Sequence, residues 1–271
     1  MDFCSVGGII LALASIILTM VVDGGSLMSL LKESAAMVVF GGTLGAVLLQ
    51  TPLHVFLQAI KMIPWVFFPP KDDRAEQLKN ITDWLRIARH QFVLALDPIA
   101  DQQTDPFIKQ GLRLVVDGID AAQIRIVLES MTATKAHGQM VAAEMFDAMG
   151  GYAPTVGILG AVMGLITVMS HLDDPTRLGP GIATAFVATV YGVGLANLFC
   201  LPIGNKLKFL INRQVSRFEM ITEGMVGIAI LESPLQLELR LRSYLEESEV
   251  KNSGGEEGGT APSGARQAEA T

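Results

Sequence analysis

Apolar side chains are concentrated in four stretches that contain no Asp, Glu, Lys or Arg, at 3–22, 34–53, 150–170 and 181–203. Each stretch is long enough for a helix to cross the hydrocarbon core of a membrane, which takes about 20 residues. Apolar residues between these stretches recur at the three- and four-residue spacings of amphipathic helices. The pattern predicts an all-α polytopic membrane protein with four transmembrane helices and a helical cytoplasmic domain.

The polar segments divide the chain around these stretches. We predict transmembrane helices 1 and 2 in 1–53, an interfacial helix and a cytoplasmic helical domain in 54–149, and transmembrane helices 3 and 4 in 150–203. A cytoplasmic helical extension is expected in 204–247. The tail at 248–271 is predicted to be disordered, because its Gly, Glu, Ser and Ala residues cannot bury a core.

The segment 54–149 carries several helix signals. One face of a predicted helix over 74–96 holds Leu78, Ile81, Leu85, Ala88 and Phe92. Asp97 would then lie near the end of that helix. Asp105 followed by Pro106 is typical of a helix start. A later helix is expected to run on into the third span, where Pro154 would mark a kink.

Basic residues predict the orientation in the membrane. Only two of the 20 Lys and Arg residues, Lys32 and Arg177, lie in the loops 23–33 and 171–180. Because positive charge is retained on the cytoplasmic side of a membrane, both termini and 54–149 are expected inside the cell.

Composition supports the membrane class and narrows the chemistry. Hydrophobic residues make up 50% of the chain and charged residues 17%, a low charge for a soluble domain. The two cysteines, Cys4 and Cys200, both lie in apolar spans, which supports neither a disulfide framework nor a zinc site. The sequence has no nucleophile–base pair, phosphate loop or metal cluster. We therefore expect no enzyme activity, no cofactor, no metal and no nucleic-acid partner.

The last two spans carry faces of small residues: Gly157, Ala161 and Gly164 on the third, and Ala185, Thr189, Gly192 and Ala196 on the fourth. Such faces either pack tightly or leave room for water and another helix. Proton or sodium transport needs a titratable or coordinating group near mid-membrane, and these spans contain no carboxylate. Either nothing is transported, or a partner helix brings the carboxylate.

Several short motifs together resemble a known family: Ala153-Pro154, Gly157-Ile158, Asp173-Asp174-Pro175, Thr189-Val190-Tyr191-Gly192, Leu201-Pro202-Ile203, Asp105-Pro106-Phe107 and Val115-Val116-Asp117-Gly118. They resemble the A subunit of the bacterial flagellar stator, in the MotA/PomA branch of the MotA/TolQ/ExbB group, MotC-like members included. The resemblance implies a cell inner-membrane ring of five such subunits around a dimer of MotB-type subunits. Each MotB-type subunit brings one membrane aspartate.

The resemblance also implies an ion pathway. Thr189 stands at the pore threonine that faces the aspartate of the B subunit, and Pro154 and Pro202 stand at two prolines of the third and fourth helices. Sodium-driven members carry Thr at the position of Ala161. Because this chain has no hydroxyl there, the resemblance favours protons as the driving ion. Taken alone, Thr189 has a simpler interpretation, a hydroxyl bonded to a carbonyl of its own helix.

A second set of positions concerns rotation, in which cytoplasmic charges act on the rotor protein FliG. Arg89 matches the rotor-facing arginine of the family, and Arg86 lies on the same helix. Asp97 takes the place of a glutamate, and Phe92 stands where the family usually has Gly. The simpler interpretation of Arg89 and Asp97 is a solvated helix face.

Three alternative functions remain open from the sequence. One is a TolQ/ExbB-like motor that energises outer-membrane processes, although those relatives have three spans. A second is a sodium-driven stator. The third is a non-conducting membrane scaffold, which accounts for the missing carboxylate without any partner.

Overall fold

The computed structural model describes residues 2–22, 24–25, 27–173 and 175–245. Its helices are α1 (Phe3–Val22), α2 (Glu33–Gln50), α3 (Leu53–Met62), α4 (Pro64–Phe67), α5 (Arg74–Gln91), α6 (Asp97–Gln102), α7 (Pro106–Val116), α8 (Ala121–Met169), α9 (Pro175–Gly194), α10 (Leu201–Ala229) and α11 (Pro234–Arg242). No strand occurs in these residues, so the all-α prediction is confirmed. Asp174 and the predicted tail at 248–271 lie outside them.

Four helices within the described residues are long and apolar enough to cross a membrane: Phe3–Val22, Glu33–Gln50, Ala121–Met169 and Leu178–Ala229. The prediction of four spans is therefore confirmed. Helix α8 has 49 residues and continues unbroken through Pro154, so the polar segment and the third span share one helix, as expected. A proline inside a helix removes one backbone donor without necessarily ending the helix, because neighbouring helices can satisfy the freed carbonyl.

The chain forms two compact units, and the first comprises the residues up to Lys71 together with Ala133–Gln214. Its larger core joins α2, α3, α8 and α10 through the buried residues Val47, Val55, Ala59, Met62, Ala142, Ala143, Phe146, Leu207 and Ile211. A smaller cluster joins α2 to α9 through Ala35, Val39, Val187 and Ala188.

Two π-helical segments interrupt the apolar helices of the first unit. One, Met37–Gly41, lies inside α2, and the other, Leu195–Cys200, links α9 to α10. A π-turn adds one residue to a helical turn and so rotates the following side chains around the axis. After the first segment, Gly42 faces α8 so closely that an added Cβ would lie 2.8 Å from Cγ1 of Val156.

The second unit comprises Asp72–Thr132 together with the described residues from Val215 onward. Its core is built from α5, α7, α8, α10 and α11, with Ile81, Leu85, Leu96, Ile108, Leu112, Ile124, Leu128, Met220, Ile221 and Met225 less than 2% exposed. Glycines allow close helix contacts here, since an added Cβ at Gly111 would lie 2.9 Å from Cγ of Met225.

Capping signals define α7 at both ends. The side chain of Asp105 accepts a hydrogen bond from the backbone N–H of Phe107 at 2.9 Å, as the Asp-Pro start predicts. The helix ends where Gly118 takes φ +69°, and the N–H of Ile119 donates to the carbonyl of Leu114 at 3.1 Å. This is the Schellman arrangement, which favours glycine at the left-handed position.

The predicted helix over 74–96 is confirmed as far as Gln91 and is wrong for its last five residues. Helix α5 ends at Gln91, and Phe92 has φ 67° and ψ 160° with its side chain 81% exposed, so it does not share the buried face. The turn sends Val93–Leu96 in a new direction, and Leu96 becomes fully buried instead. Asp97 consequently begins α6 rather than lying near the end of α5.

Candidate functional site

Helices α8 and α9 are in backbone contact in the first unit. An added Cβ at Gly157 would lie 2.9 Å from the carbonyl oxygen of Ala188, and one at Gly192 would lie 3.0 Å from Cα of Gly157. Further along, a Cβ at Gly164 would lie 3.1 Å from Cβ of Ala185. The sequence left open whether these small residues pack tightly or leave room for water and another helix. Tight packing is what the structure shows for Gly157, Gly164, Ala185 and Gly192.

Thr189 and Ala161 lie beside this contact and are both half-buried. The hydroxyl of Thr189 donates to the carbonyl of Ala185 in its own helix at 3.4 Å, a long bond that leaves both lone pairs of the oxygen free to accept. Ala161 contributes only a methyl group at its position. The simpler interpretation of Thr189 therefore describes its conformation in this chain.

The two prolines occupy different environments in the first unit. Pro154 is half-buried inside α8, where its missing N–H leaves the carbonyl of Gly150 without its usual helical donor. Pro202 is exposed at the start of α10, directly after the π-helical segment. It lines an apolar groove of about 350 Å³ between α1 and α10, together with Asn197 and Lys206.

Two lysines of α10 are tied to carboxylates of the first unit. Lys206 bonds Asp2 and Lys208 bonds Asp147, the latter pair joining α10 to α8. The hydrogen bond from Lys206 holds the pKa of Asp2 below its usual value. Basic residues next to a membrane span often only contact lipid headgroups. These two lysines also form ion pairs within the protein.

The pair of Asp147 and Lys208 was not predicted from the sequence. A signal was nevertheless present, because one is the last acid before the third span and the other follows the fourth span within six residues of Pro202. An added Cβ at Gly204 would lie 2.7 Å from Oδ1 of Asp147, so the carboxylate rests directly against the backbone of α10.

In the second unit, the three residues that the resemblance assigns to the rotor are all exposed. Arg86 forms an ion pair with Asp83, one turn earlier on α5, at 3.1 Å. Arg89 donates to the backbone carbonyl of Glu232 at 3.3 Å. The side chain of Asp97 has no hydrogen-bonding or ion-pair partner within the described residues, whereas its backbone N–H donates to the carbonyl of Leu94. The structure does not link these three charges to one another, and Phe92 lies between the last two along the chain.

A network of ion pairs supports this part of the second unit. Arg217 bonds Asp73 at 2.5 Å and Asp105 at 2.9 Å, which ties α10 to the starts of α5 and α7. Burial raises the pKa of Asp73, but the hydrogen bonds from Arg217 and Gln77 outweigh it, and the net pKa is lowered. Loss of either carboxylate would therefore leave the guanidinium only partly compensated.

A second network joins α8 to α10. Arg125 donates to the carboxylate of Glu223 with both terminal nitrogens, one of them at 3.0 Å. This hydrogen bond lowers the pKa of Glu223 despite its partial burial. Bidentate pairs of this kind fix geometry as well as charge.

Comparison with known proteins places these observations in a family. Residues 99–220 match the MotA/TolQ/ExbB proton channel family, and residues 6–91 match the N-terminal region of Motility protein A. Motility protein A of Helicobacter pylori is 33% identical over 253 residues, an alignment that covers 93% of this chain and 98% of the relative. This chain belongs to the MotA/TolQ/ExbB family. With its four apolar helices, it is an inner-membrane protein of that family.

Other members of the MotA/TolQ/ExbB family are similar over nearly the whole chain. Chemotaxis protein PomA of Vibrio alginolyticus is 29% identical in an alignment that covers 91% of this chain and 96% of PomA. The structure of C. jejuni MotAB matches with a TM-score of 0.86 and 29% sequence identity. The match covers 91% of this chain and 97% of the chain in that structure. The flagellar MotAB stator complex from Bacillus subtilis matches with a TM-score of 0.81 and 31% identity over 92% and 98%. The family resemblance drawn from the motifs is therefore confirmed.

Proposed function

We propose that this chain is the A-type subunit of a flagellar stator, which with a B-type partner forms a proton channel that couples proton flow to flagellar rotation. The observation that carries the proposal is the similarity to chains of two MotAB structures over more than nine-tenths of the chain. Four helices that can cross a membrane fit this reading better than the three spans of a TolQ/ExbB-like motor.

The ion path on this proposal is shared between two proteins. The spans around α8 and α9 contain hydroxyls and small residues but no carboxylate, so the B-type subunit supplies a membrane aspartate. Thr189 keeps free lone pairs on the wall opposite that aspartate, and Pro154 and Pro202 shape the inner end of the path. Five copies of this chain surround two copies of the partner. Each proton gains about 2.3 kcal/mol for every 100 mV that it crosses.

Ala161 favours protons over sodium as the driving ion. A dehydrated sodium ion needs several oxygen ligands, whereas a proton needs only a carboxylate and water. A methyl group at this position offers no ligand. Replacement of external sodium by potassium should therefore leave swimming speed unchanged, and a speed that follows the sodium concentration would indicate the sodium-driven alternative.

The charges at Arg86, Arg89 and Asp97 act on the rotor protein FliG in this proposal. On this proposal the cytoplasmic parts of the chain are both termini and the segments 54–149 and 204–247. FliG is accessible there. Exposure of all three side chains supports this assignment. The negative charge at Asp97 also supports it, although the side chain is one methylene shorter than the glutamate of the family.

A complementation experiment tests the proposal. In a strain that lacks this gene and any paralogue, Thr189→Ala and Pro202→Ala should reduce swimming severalfold without loss of protein from the membrane. Thr184→Ala is the matched control, because Thr184 also bonds a carbonyl of α9, that of Pro180 at 2.9 Å, and has no assigned role. Normal swimming of the deletion strain would refute the proposal.

A flux measurement separates the channel from a scaffold. Proteoliposomes that contain this chain with its B-type partner should take up protons when a membrane potential is applied. Liposomes with this chain alone should not, because the titrating carboxylate is missing. Proton uptake by this chain alone, or no uptake with the partner present, would contradict the shared pathway.

A further inference from the structure

Helix α1 is attached to the rest of the first unit near its start. None of its 20 residues is buried within the described structure. The backbone N–H of Asp2, the residue before α1, donates to the carbonyl of Phe67 at 2.9 Å, and the carboxylate of Asp2 is bound by Lys206 of α10. These bonds hold the first turns of α1 beside α10, and an apolar groove of about 350 Å³ remains between the two helices.

Small residues on one face of α1 leave this groove open. Gly8 and Ala12, one helical turn apart, line the groove from α1, and Leu198 and Pro202 line it from the opposite side. An added Cβ at Gly8 would have no neighbour within 4 Å among the described residues. An empty apolar space is unfavourable, because the atoms of its walls lose the dispersion contacts of a filled interior. The groove therefore favours an apolar occupant from outside this chain.

The groove begins at the polar ends of two membrane spans. Asp2 directly precedes the apolar residues of α1, and Lys206 follows the charge-free stretch 181–203. Their ion pair therefore lies at the boundary between headgroups and hydrocarbon, and the groove extends from it past Gly8 and Ala12 into the span. An occupant of this groove would have a polar group beside the ion pair and an apolar chain within the membrane.

The charges at the polar end of the groove have both signs and are partly accessible. The side chain of Lys206 is 31% exposed and that of Asp2 is 17% exposed. An ammonium group has three N–H donors, so Lys206 can bind a phosphate oxygen as well as Asp2. An ammonium group of the same ligand can donate to the carboxylate of Asp2. A headgroup that carries both a phosphate and an ammonium is complementary to this pair, whereas a purely anionic headgroup is not.

The size of the groove favours an acyl chain over a helix of another protein. One turn of an α-helix that is about 10 Å across occupies roughly 420 Å³, which exceeds the volume of the whole groove. A helix could enter between α1 and α10 only if the two moved apart and the bond between Asp2 and Lys206 broke. A single acyl chain requires no such movement.

We propose that the groove between α1 and α10 binds one molecule of phosphatidylethanolamine from the surrounding membrane. One acyl chain lies against Gly8, Ala12 and Pro202. The phosphate accepts a hydrogen bond from Lys206, and the ammonium donates to Asp2. The lipid fills the space that the side chains of α1 leave open. This inference depends on membrane insertion and not on the proposed function.

Two neighbouring glycines provide a matched pair of variants for the groove. Gly7 and Gly8 both have open space around an added Cβ in the described structure, but only Gly8 lines the groove. The protein is purified in the complex in which it leaves the membrane, delipidated in detergent and titrated with phosphatidylethanolamine. Native mass spectrometry counts the bound lipid, which should reach one molecule per copy of this chain. Gly8→Leu should bind at least about tenfold more weakly, because its side chain occupies the place of the acyl chain, and Gly7→Leu should bind normally.

A second pair of variants tests the headgroup. Lys206→Gln should bind phosphatidylethanolamine about tenfold more weakly, because a charge-assisted hydrogen bond to the phosphate is lost. Lys61→Gln is the control, since Lys61 is exposed and does not line the groove, and its binding should be normal. The unaltered complex should bind phosphatidylglycerol severalfold more weakly than phosphatidylethanolamine, because that headgroup has no ammonium for Asp2.

Each outcome bears on the inference. Normal binding by Gly8→Leu, or equal affinity of the unaltered complex for the two lipids, would overturn it. A changed number of subunits in Gly8→Leu would also overturn it and would make the groove a contact between copies of this chain. If Gly8→Leu does not accumulate, Ala12→Leu fills the same groove and replaces it in the test. None of these measurements involves swimming or proton flux, so a failure of the proposed function is distinguishable from a failure of lipid binding.

Discussion

Single atoms decide how the last two spans approach each other. Gly192 meets the backbone of α8 near Ala153 and Gly157, where no space exists for a side chain. Gly194 lies two residues later on the same helix and has no neighbour within 4 Å of an added Cβ in the described structure. Glycine is therefore required for close packing at 192, whereas a larger residue has space at 194. In lipid this matters more than in water, because close van der Waals contact is a main force between helices.

Gly192→Ala should accordingly destabilise the protein while Gly194→Ala should not. The new methyl at 192 meets backbone atoms that cannot move aside, and overpacking of this kind costs about 1–3 kcal/mol. Thermal unfolding in detergent measures the difference, and yield in the membrane provides a second readout. Equal melting temperatures for the two variants would show that α8 and α9 are not in backbone contact.

At the scale of elements, ion pairs connect helices that the hydrophobic pattern alone would leave independent. Glu223 of α10 is paired with Arg125 of α8, and Arg125 also contacts Glu129, four residues later on its own helix, at 3.4 Å. The two carboxylates differ in exposure, 15% for Glu223 and 57% for Glu129. The partly buried, bidentate pair should stabilise the unit, whereas the exposed pair should contribute little.

Glu223→Gln should lower the free energy of unfolding at pH 7 by about 1–2 kcal/mol, and Glu129→Gln by less than about 0.5 kcal/mol. Since the pKa of Glu223 is lowered in the folded state, its contribution is complete above its unfolded value near 4.5 and is lost as the pH falls through its lower folded pKa. Unfolding curves of unaltered protein and Glu223→Gln should converge below that range. A difference that persists at the lowest pH would assign the effect to packing instead.

At the scale of the whole molecule, the distribution of charge decides how the chain is inserted. The loops 23–33 and 171–180 hold two basic residues between them, and the longer polar segments hold all the others. Moving the longer segments across the membrane would carry many positive charges with them, which membrane insertion disfavours. This charge distribution predicts that the proposed stator subunit has both termini inside the cell.

Fusions to alkaline phosphatase measure this orientation, because that enzyme is active only outside the cytoplasm. A fusion after Gly25 should be active, and a fusion after Pro70 should be inactive although both products are made in equal amounts. The reverse pattern would place 54–149 outside the cell and remove the charges of Arg86, Arg89 and Asp97 from the reach of FliG.

Local composition was sufficient for the coarse architecture. Charge-free stretches identify membrane spans because a charged side chain in hydrocarbon is costly, and that cost depends on the residues of the stretch alone. The Asp-Pro start of α7 was equally readable, since a cap acts within one helical turn. Motif spacing then led from the sequence to the MotA/TolQ/ExbB family, which the comparisons confirmed.

Contacts between distant residues were decided only by the tertiary structure. Periodicity placed Phe92 on a buried face, but the chain turns there so that Leu96 enters the core. The sequence likewise left open whether the small faces of α8 and α9 pack or stand apart, and it did not pair Lys208 with Asp147. Composition determines whether a segment can enter a membrane or form a helix. Which residues touch depends on how helices far apart in sequence come together, and no local pattern contains that information.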